Sequence, residues 1–204
     1  MRSVLVGCAL VMVLATPAFA EQRNLSGFTK VSANAGTDVT VVVGSGFSVD
    51  VTGPGAARVV TRISGDTLVI ERRSGFTWGP SPHADVRVTM PRVDGLSAAS
   101  GADLIATNVN ADTIELDSSS GADLRVSGSC RTFTADASSG SDIYAEALRC
   151  ENGSVDASSG ADARVFATGR LNVEASSGGG VIVHGNPGIG DVDLSSGGSM
   201  RRAS

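Results

Sequence analysis

A five-residue phrase recurs along this chain and governs what it can fold into. It reads Ala99-Ser100-Gly101-Ala102-Asp103, then Ser119-Ser120-Gly121-Ala122-Asp123, Ser138-Ser139-Gly140-Ser141-Asp142 and Ser158-Ser159-Gly160-Ala161-Asp162. Shortened copies follow at Ser176-Ser177-Gly178 and Ser195-Ser196-Gly197, and successive glycines stand 20, 19, 20, 18 and 19 residues apart. A period near 20 marks a chain of stacked coils, each one supersecondary unit that cannot bury its own apolar face alone.

Alignment on the glycine turns the period into a structure. Three residues after it come Leu104, Leu124, Ile143, Ala163, Val181 and Met200; five after it come Ala106, Val126, Ala145, Val165 and Val183. Five before it come Leu96, Leu116, Ala135, Val155, Val173 and Val192, and three before it Ala98, Ser118, Ala137, Ala157, Ala175 and Leu194. These columns are apolar or small, and the positions between them are mostly polar. Period-two alternation with one face inward is the pattern of a half-buried strand. Helix is disfavoured, because the runs are short, glycine-punctuated and rich in Ser, Thr and Val. The small residues beside the glycine suit a tight corner. The pattern predicts an all-β, single-domain, right-handed parallel β-helix with coils of about 20 residues. Equivalent residues would stack about 4.8 Å apart, and each buried Val or Leu would contribute about 1.5–3 kcal/mol.

The start of the chain has a different logic. Arg2 supplies a positive charge, Val4 to Leu14 an apolar run, and Ala18-Phe19-Ala20 a small-residue cleavage site. This is the layout of a signal peptide over residues 1–20, cut after Ala20. No later apolar run approaches the roughly 20 residues of a membrane span. The expected location is therefore the periplasm or the cell exterior. Cleavage leaves Cys130 and Cys150 as the cysteines, 20 residues or one coil apart. An oxidising compartment permits a disulfide, and stacked coils would hold the two Cα atoms within the 4.4–6.8 Å it spans. The formal charge of −5 and the 4% aromatic content argue against nucleic acid as a partner.

Ahead of the regular repeats, Glu21 to Gly27 reads as a short, mobile polar leader. Strands then follow at Val39–Val43, Phe47–Val51, Val59–Ile63, Thr67–Ile70 and Val86–Met90. Ser64-Gly65-Asp66 is either a hairpin turn or a coil corner. The Gly/Pro-rich stretch from Ser74 to Pro82 breaks the rhythm and predicts a protruding loop. It carries Phe76 and Trp78, which are candidates either for contact with a partner or for covering an open solenoid edge.

Phe28-Thr29-Lys30-Val31, Gly36-Thr37-Asp38-Val39-Thr40-Val41 and Gly65-Asp66-Thr67-Leu68-Val69-Ile70 resemble the opening of the head GIN domain. The repeated Ser-Gly-Ala-Asp and the closing Asp193-Leu194-Ser195-Ser196-Gly197-Gly198 resemble its remainder, so the likeness covers residues 28–204. The resemblance implies a parallel β-helix and the role of an auto-transporter adhesin head. It brings no catalytic residues.

Two acidic columns flank the corner: Asp117, Asp136, Asp156, Glu174 and Asp193 four before the glycine, and Asp103, Asp123, Asp142 and Asp162 two after it. They could form a Ca²⁺-binding edge, or each Asp could cap its own corner as an Asx-turn. Mutual repulsion costs only about 0.8 kcal/mol per exposed pair in water, and Arg125 and Arg164 stand two residues beyond two of these carboxylates, so no metal is required. A catalytic pair needs a singular environment that drives two pKa values apart, whereas these carboxylates recur in every coil. The serine columns find no Ser/His/Asp partner set and are expected to hydrogen-bond up the stack. His83 and His184 each stand alone at no metal-ligand spacing. The expectation is an exported scaffold or adhesin-like binding module for an envelope polysaccharide or protein, with no cofactor, no metal and no enzymatic activity. The rivals are a carbohydrate-active enzyme and an envelope element that self-associates end to end through unpaired edges.

Overall fold

In the computed structural model, residues 21–73 and 82–203 are described. They form β1 (Glu21–Gln22), β2 (Lys30–Asn34), β3 (Asp38–Val43), β4 (Ser48–Thr52), β5 (Val59–Ser64), β6 (Thr67–Arg72), β7 (Asp85–Met90) and β8 (Gly95–Ala99). The regular part follows as β9 (Asp103–Ser119), β10 (Asp123–Ser138), β11 (Asp142–Ala157), β12 (Asp162–Ala167), β13 (Arg170–Ala175), β14 (Gly180–Gly185), β15 (Gly188–Leu194) and β16 (Ser199–Arg202). The architecture is a parallel β-solenoid. Each coil has two strand runs, so the stack has a front sheet ordered β1-β4-β7-β3-β9-β10-β11-β12-β14-β16 and a back sheet running β5-β6-β2-β8, then the later halves of β9, β10 and β11, then β13 and β15.

Up to the last coil, the inward columns are buried as the alternation requires. Leu104, Leu124, Ile143, Ala163 and Val181 are all at most 1% exposed. Core volume is shared between coils: Phe133 pairs in register with Gly153, where a Cβ would lie 2.2 Å from the phenyl ring. A large side chain on one coil is thus accommodated by glycine on the next.

At the corner, serine and glycine are both left-handed, as in Ser120 (φ 56) and Gly121 (φ 70). A non-glycine residue there costs about 1–2 kcal/mol. Backbone rungs offset it: Gly101 N–H donates to the Ser120 carbonyl at 3.2 Å, and Gly121 to Ser139, Gly140 to Ser159 and Gly160 to Ser177 follow suit. The serine's carbonyl carries the rung, where stacked hydroxyls were expected. Among the described residues, the buried hydroxyls are those of Thr37, Ser118 and Ser141, which donate to the Asn34, Ala122 and Ser118 carbonyls. A further corner at Ala35-Gly36 joins the stack by donating to Ser100.

Coil length drifts by a residue, and bulges absorb it. Arg125 pairs with Tyr144 but Ser127 pairs with Ala147, so β11 carries one extra residue there. Beyond the bulge Cys130 and Cys150 are direct partners, with Cα atoms 4.5 Å apart and joined by a disulfide. The disulfide expected from the spacing is present.

The opening of the chain departs from simple order. β2 lies between β6 and β8, and β3 between β7 and β9. The first coil in sequence is therefore second in space, and β6–β7 forms the outer coil. The stretch expected to protrude as a loop lies, over residues 74–81, outside the described residues. Ser64-Gly65-Asp66 lies in the turn of the antiparallel β5–β6 hairpin. β4 closes the front sheet antiparallel to β7, and β1 pairs antiparallel with β4. The polar stretch 21–27 lies against the front sheet: β1 pairs with β4, Arg23 N–H donates to Val49 O, and Leu25 packs on the core.

Candidate functional site

The outward positions of the two sheets carry the chemistry. On the front sheet one column runs Asp85, Asp38, Asp103, Asp123, Asp142 and Asp162, all in direct register. It lengthens the sequence-derived acidic column by two residues. Beside it runs Ile105, Arg125, Tyr144, Arg164 and Ile182. The Arg125 guanidinium lies 3.9 Å from the Tyr144 ring centre, and Arg164 lies 5.2 Å from it. Arg125 also reaches Asp123 at 3.2 Å, and the Tyr144 hydroxyl donates to Asp142 at 3.1 Å. These two carboxylates therefore bond to neighbouring side chains on the sheet face, as Asp123 does to Arg125 and Asp142 to Tyr144. Partial burial, with the Asp142 hydrogen bond second, pushes the Tyr144 phenol above its ordinary pKa. Burial raises Asp123 too, and Arg125 offsets part of that rise. A shallow groove of about 190 Å³ runs past Ile105, Arg125, Tyr144 and Glu146.

On the back sheet the second acidic column holds its predicted order, with Asp117 paired to Asp136, Asp136 to Asp156, Asp156 to Glu174 and Glu174 to Asp193. A groove of about 300 Å³ lies at its β2–β10 end, lined by Lys30, Ser97, Glu115, Asp117, Thr134 and Asp136. Lys30 crosses above Gly95 to Glu115, with Nζ to Oε2 at 2.8 Å. A Cβ at position 95 would stand 3.0 Å from the Lys30 stem, so that glycine leaves room for the crossing. Partial burial raises the carboxyl pKa of Asp117 and Asp136, and the Asp156, Asp117 and Glu115 charges raise Asp136 further. The groove offers carboxylate and hydroxyl oxygens along one wall and an ammonium on the other. That is a set suited to ligand hydroxyls or amines.

Asp38, His83 and Asp85 form a third cluster, which the sequence reading missed by treating His83 as solitary. His83 Nδ1 lies 3.2 Å from Asp38 and Nε2 3.0 Å from Asp85. The ligand atoms are close enough to share a cation, but one imidazole presents its two nitrogens to two different carboxylates. Nε2 is hydrogen-bonded to Asp85, and Nδ1 lies beside Asp38. The available signal was His83-Ala84-Asp85, with His83 two residues ahead of Asp85 just before β7, once Asp38 was aligned with the corner columns. His184 pairs in register with Phe166 on the front sheet. Phe76 and Trp78 lie outside the described residues, as do residues 1–20 with the cleavage site after Ala20.

Residues 27–187 match the family described as putative auto-transporter adhesin, head GIN domain. Solved structures share the fold. A protein named a putative adhesin from Bacteroides fragilis superposes with a TM-score of 0.72 at 12% identity, covering 91% of this chain and 97% of the other. A putative adhesin from Parabacteroides distasonis gives 0.58 at 14% identity, covering 91% and 97%. A protein from the same organism named a putative lipid binding protein gives 0.53 at 14% identity, covering 92% and 97%. No curated protein matches the sequence. No helix among the described residues is long and apolar enough to cross a membrane.

Proposed function

Because the chain belongs to the head GIN-domain family of putative auto-transporter adhesins, we propose that it is an exported binding module that holds an extended envelope polysaccharide along its front sheet. The observation that carries this reading is the Arg125–Tyr144–Arg164 stack beside the Asp123 and Asp142 carboxylates. Two guanidiniums fixed on one ring offer N–H donors at set positions, and the adjacent column offers acceptors one strand spacing apart. Sugar hydroxyls and uronic carboxylates need such groups, and groups already held in place lose little entropy on binding. Arg forks also suit planar carboxylates bidentately. Binding of the purified protein to arrayed bacterial envelope polysaccharides is the test. Wild type retains at least one of them, and Arg125→Ala with Arg164→Ala lowers retention at least tenfold at unchanged melting temperature. Absence of retention by wild type, or equal retention by the variant, overturns the reading.

A glycan-cleaving alternative rests on Asp117 and Asp136, adjacent carboxyls with raised pKa beside a groove. Release of reducing ends from the same polysaccharides would favour it. Export rests on the signal-peptide layout of residues 1–20. N-terminal sequencing of protein recovered from the periplasm or medium should begin at Glu21, and a retained Met1 would remove this part of the proposal.

A further inference from the structure

The two ends of the solenoid are built differently. At the β6–β7 end, antiparallel β5 and β4 cover the outer coil, and the outermost front strand, β1, has only two residues. Short or charged edges resist pairing, and β5 carries Arg62. At the other end β15 pairs with β13 and β16 with β14, and among the described residues neither has a partner on its outer edge. The core is open there as well. Val192 and Leu194 are 44% and 45% exposed, whereas their register partners Val173 and Ala175 are 2% and 0% exposed. Met200 continues the inward column above Val181.

We propose that this open coil docks on the same coil of a second copy, giving an end-to-end dimer with two-fold symmetry. Charge selects the arrangement. β15 carries Asp191 and Asp193, and β16 carries Arg201 and Arg202. A two-fold axis that sets like strand on like would face acidic β15 with acidic β15 and basic β16 with basic β16. The crosswise two-fold sets β15 of each chain against β16 of the other, so Asp193 meets Arg201 twice while Val192, Leu194 and Met200 meet at the centre. A two-fold contact uses the same patch on both chains and closes at two. The opposite end offers no matching open parallel edge, which disfavours head-to-tail growth. The open coil presents strands of only 7 and 4 residues, so the contact is small and the dimer depends on concentration. This inference does not depend on the polysaccharide reading.

Sedimentation equilibrium of the exported full chain, from about 1 to 500 μM, tests it. The expected result is a mass that rises to two chains and stops there. Asp193→Arg or Arg201→Asp alone weakens the dimer at least tenfold, and the double swap Asp193→Arg with Arg201→Asp restores it. Ile63→Lys, at the far end, leaves it unchanged. Equal melting temperatures among the variants separate loss of contact from loss of fold. A mass of one chain throughout, growth beyond two, or failure of the double swap to restore association overturns the proposal.

Discussion

Val165 is completely buried in the column five residues after the corner glycine, and the coils above and below meet it at Val183 and Ala145. A carboxylate there would have no partner and no water. Val165→Asp, and likewise Val126→Asp, should therefore destabilise by several kcal/mol, at the severe end for single substitutions. Thermal melting checks this, and wild-type melting of both variants would refute the register. Asp117 and Asp136 make a subtler case. Their folded pKa values lie above the ordinary 3.8, so the folded chain binds these protons more tightly than the unfolded chain. Their contribution to stability is complete below the unfolded value and is lost as pH rises through the folded one. The pair Asp117→Asn and Asp136→Asn should raise stability at pH 7 and flatten the gain seen on mild acidification. Melting curves across pH 3.5 to 7 read this; an unchanged slope would mean that the two carboxyls are not perturbed.

Among the elements, the corners and inward columns were legible because each is written six times or nearly so, and repetition averages out local ambiguity. The disulfide was legible for the same reason, since one period in sequence becomes one strand spacing in space. Unreduced, denatured protein should show no free thiol at Cys130 or Cys150, and reduction should cost about 3 kcal/mol by the chain-entropy estimate for a loop of this length. Thiol titration followed by chemical denaturation measures both, and two free thiols per chain would refute the bridge. The threading of β2 and β3 between later strands was not legible. It depends on which free strand edges meet, and the period is silent before Gly101. The Arg125–Tyr144–Arg164 stack escaped for another reason: its column mixes Ile, Arg and Tyr, which reads as an ordinary solvent face until the ring and guanidiniums are placed. His83 escaped because its partner Asp38 is remote in sequence and comes beside it only through the pairing of β3 with β7.

For the molecule as a whole, each coil rests on its neighbours, and its stability is the sum of many like interfaces. Two uninterrupted carboxylate columns cross those interfaces, yet Arg125 at Asp123 and Tyr144 at Asp142 already provide partners from the protein itself. Melting in EDTA and in added Ca²⁺ should therefore agree within a degree or two. A shift of several degrees would reveal a structural ion by linkage.

The single-residue bulge between Arg125 and Ser127 has a consequence for how such a protein changes over generations. A ladder without bulges would turn every insertion into a reversal of inside and outside for all residues downstream. Here the slip is confined to the bulge, because pairing is back in register from Ser127 with Ala147 through to Ala137 with Ala157. Gain or loss of one residue at that bend is thus a local event, while whole coils can be duplicated or dropped as units. Lineages can lengthen or shorten the molecule in steps of one strand spacing without redesigning its core.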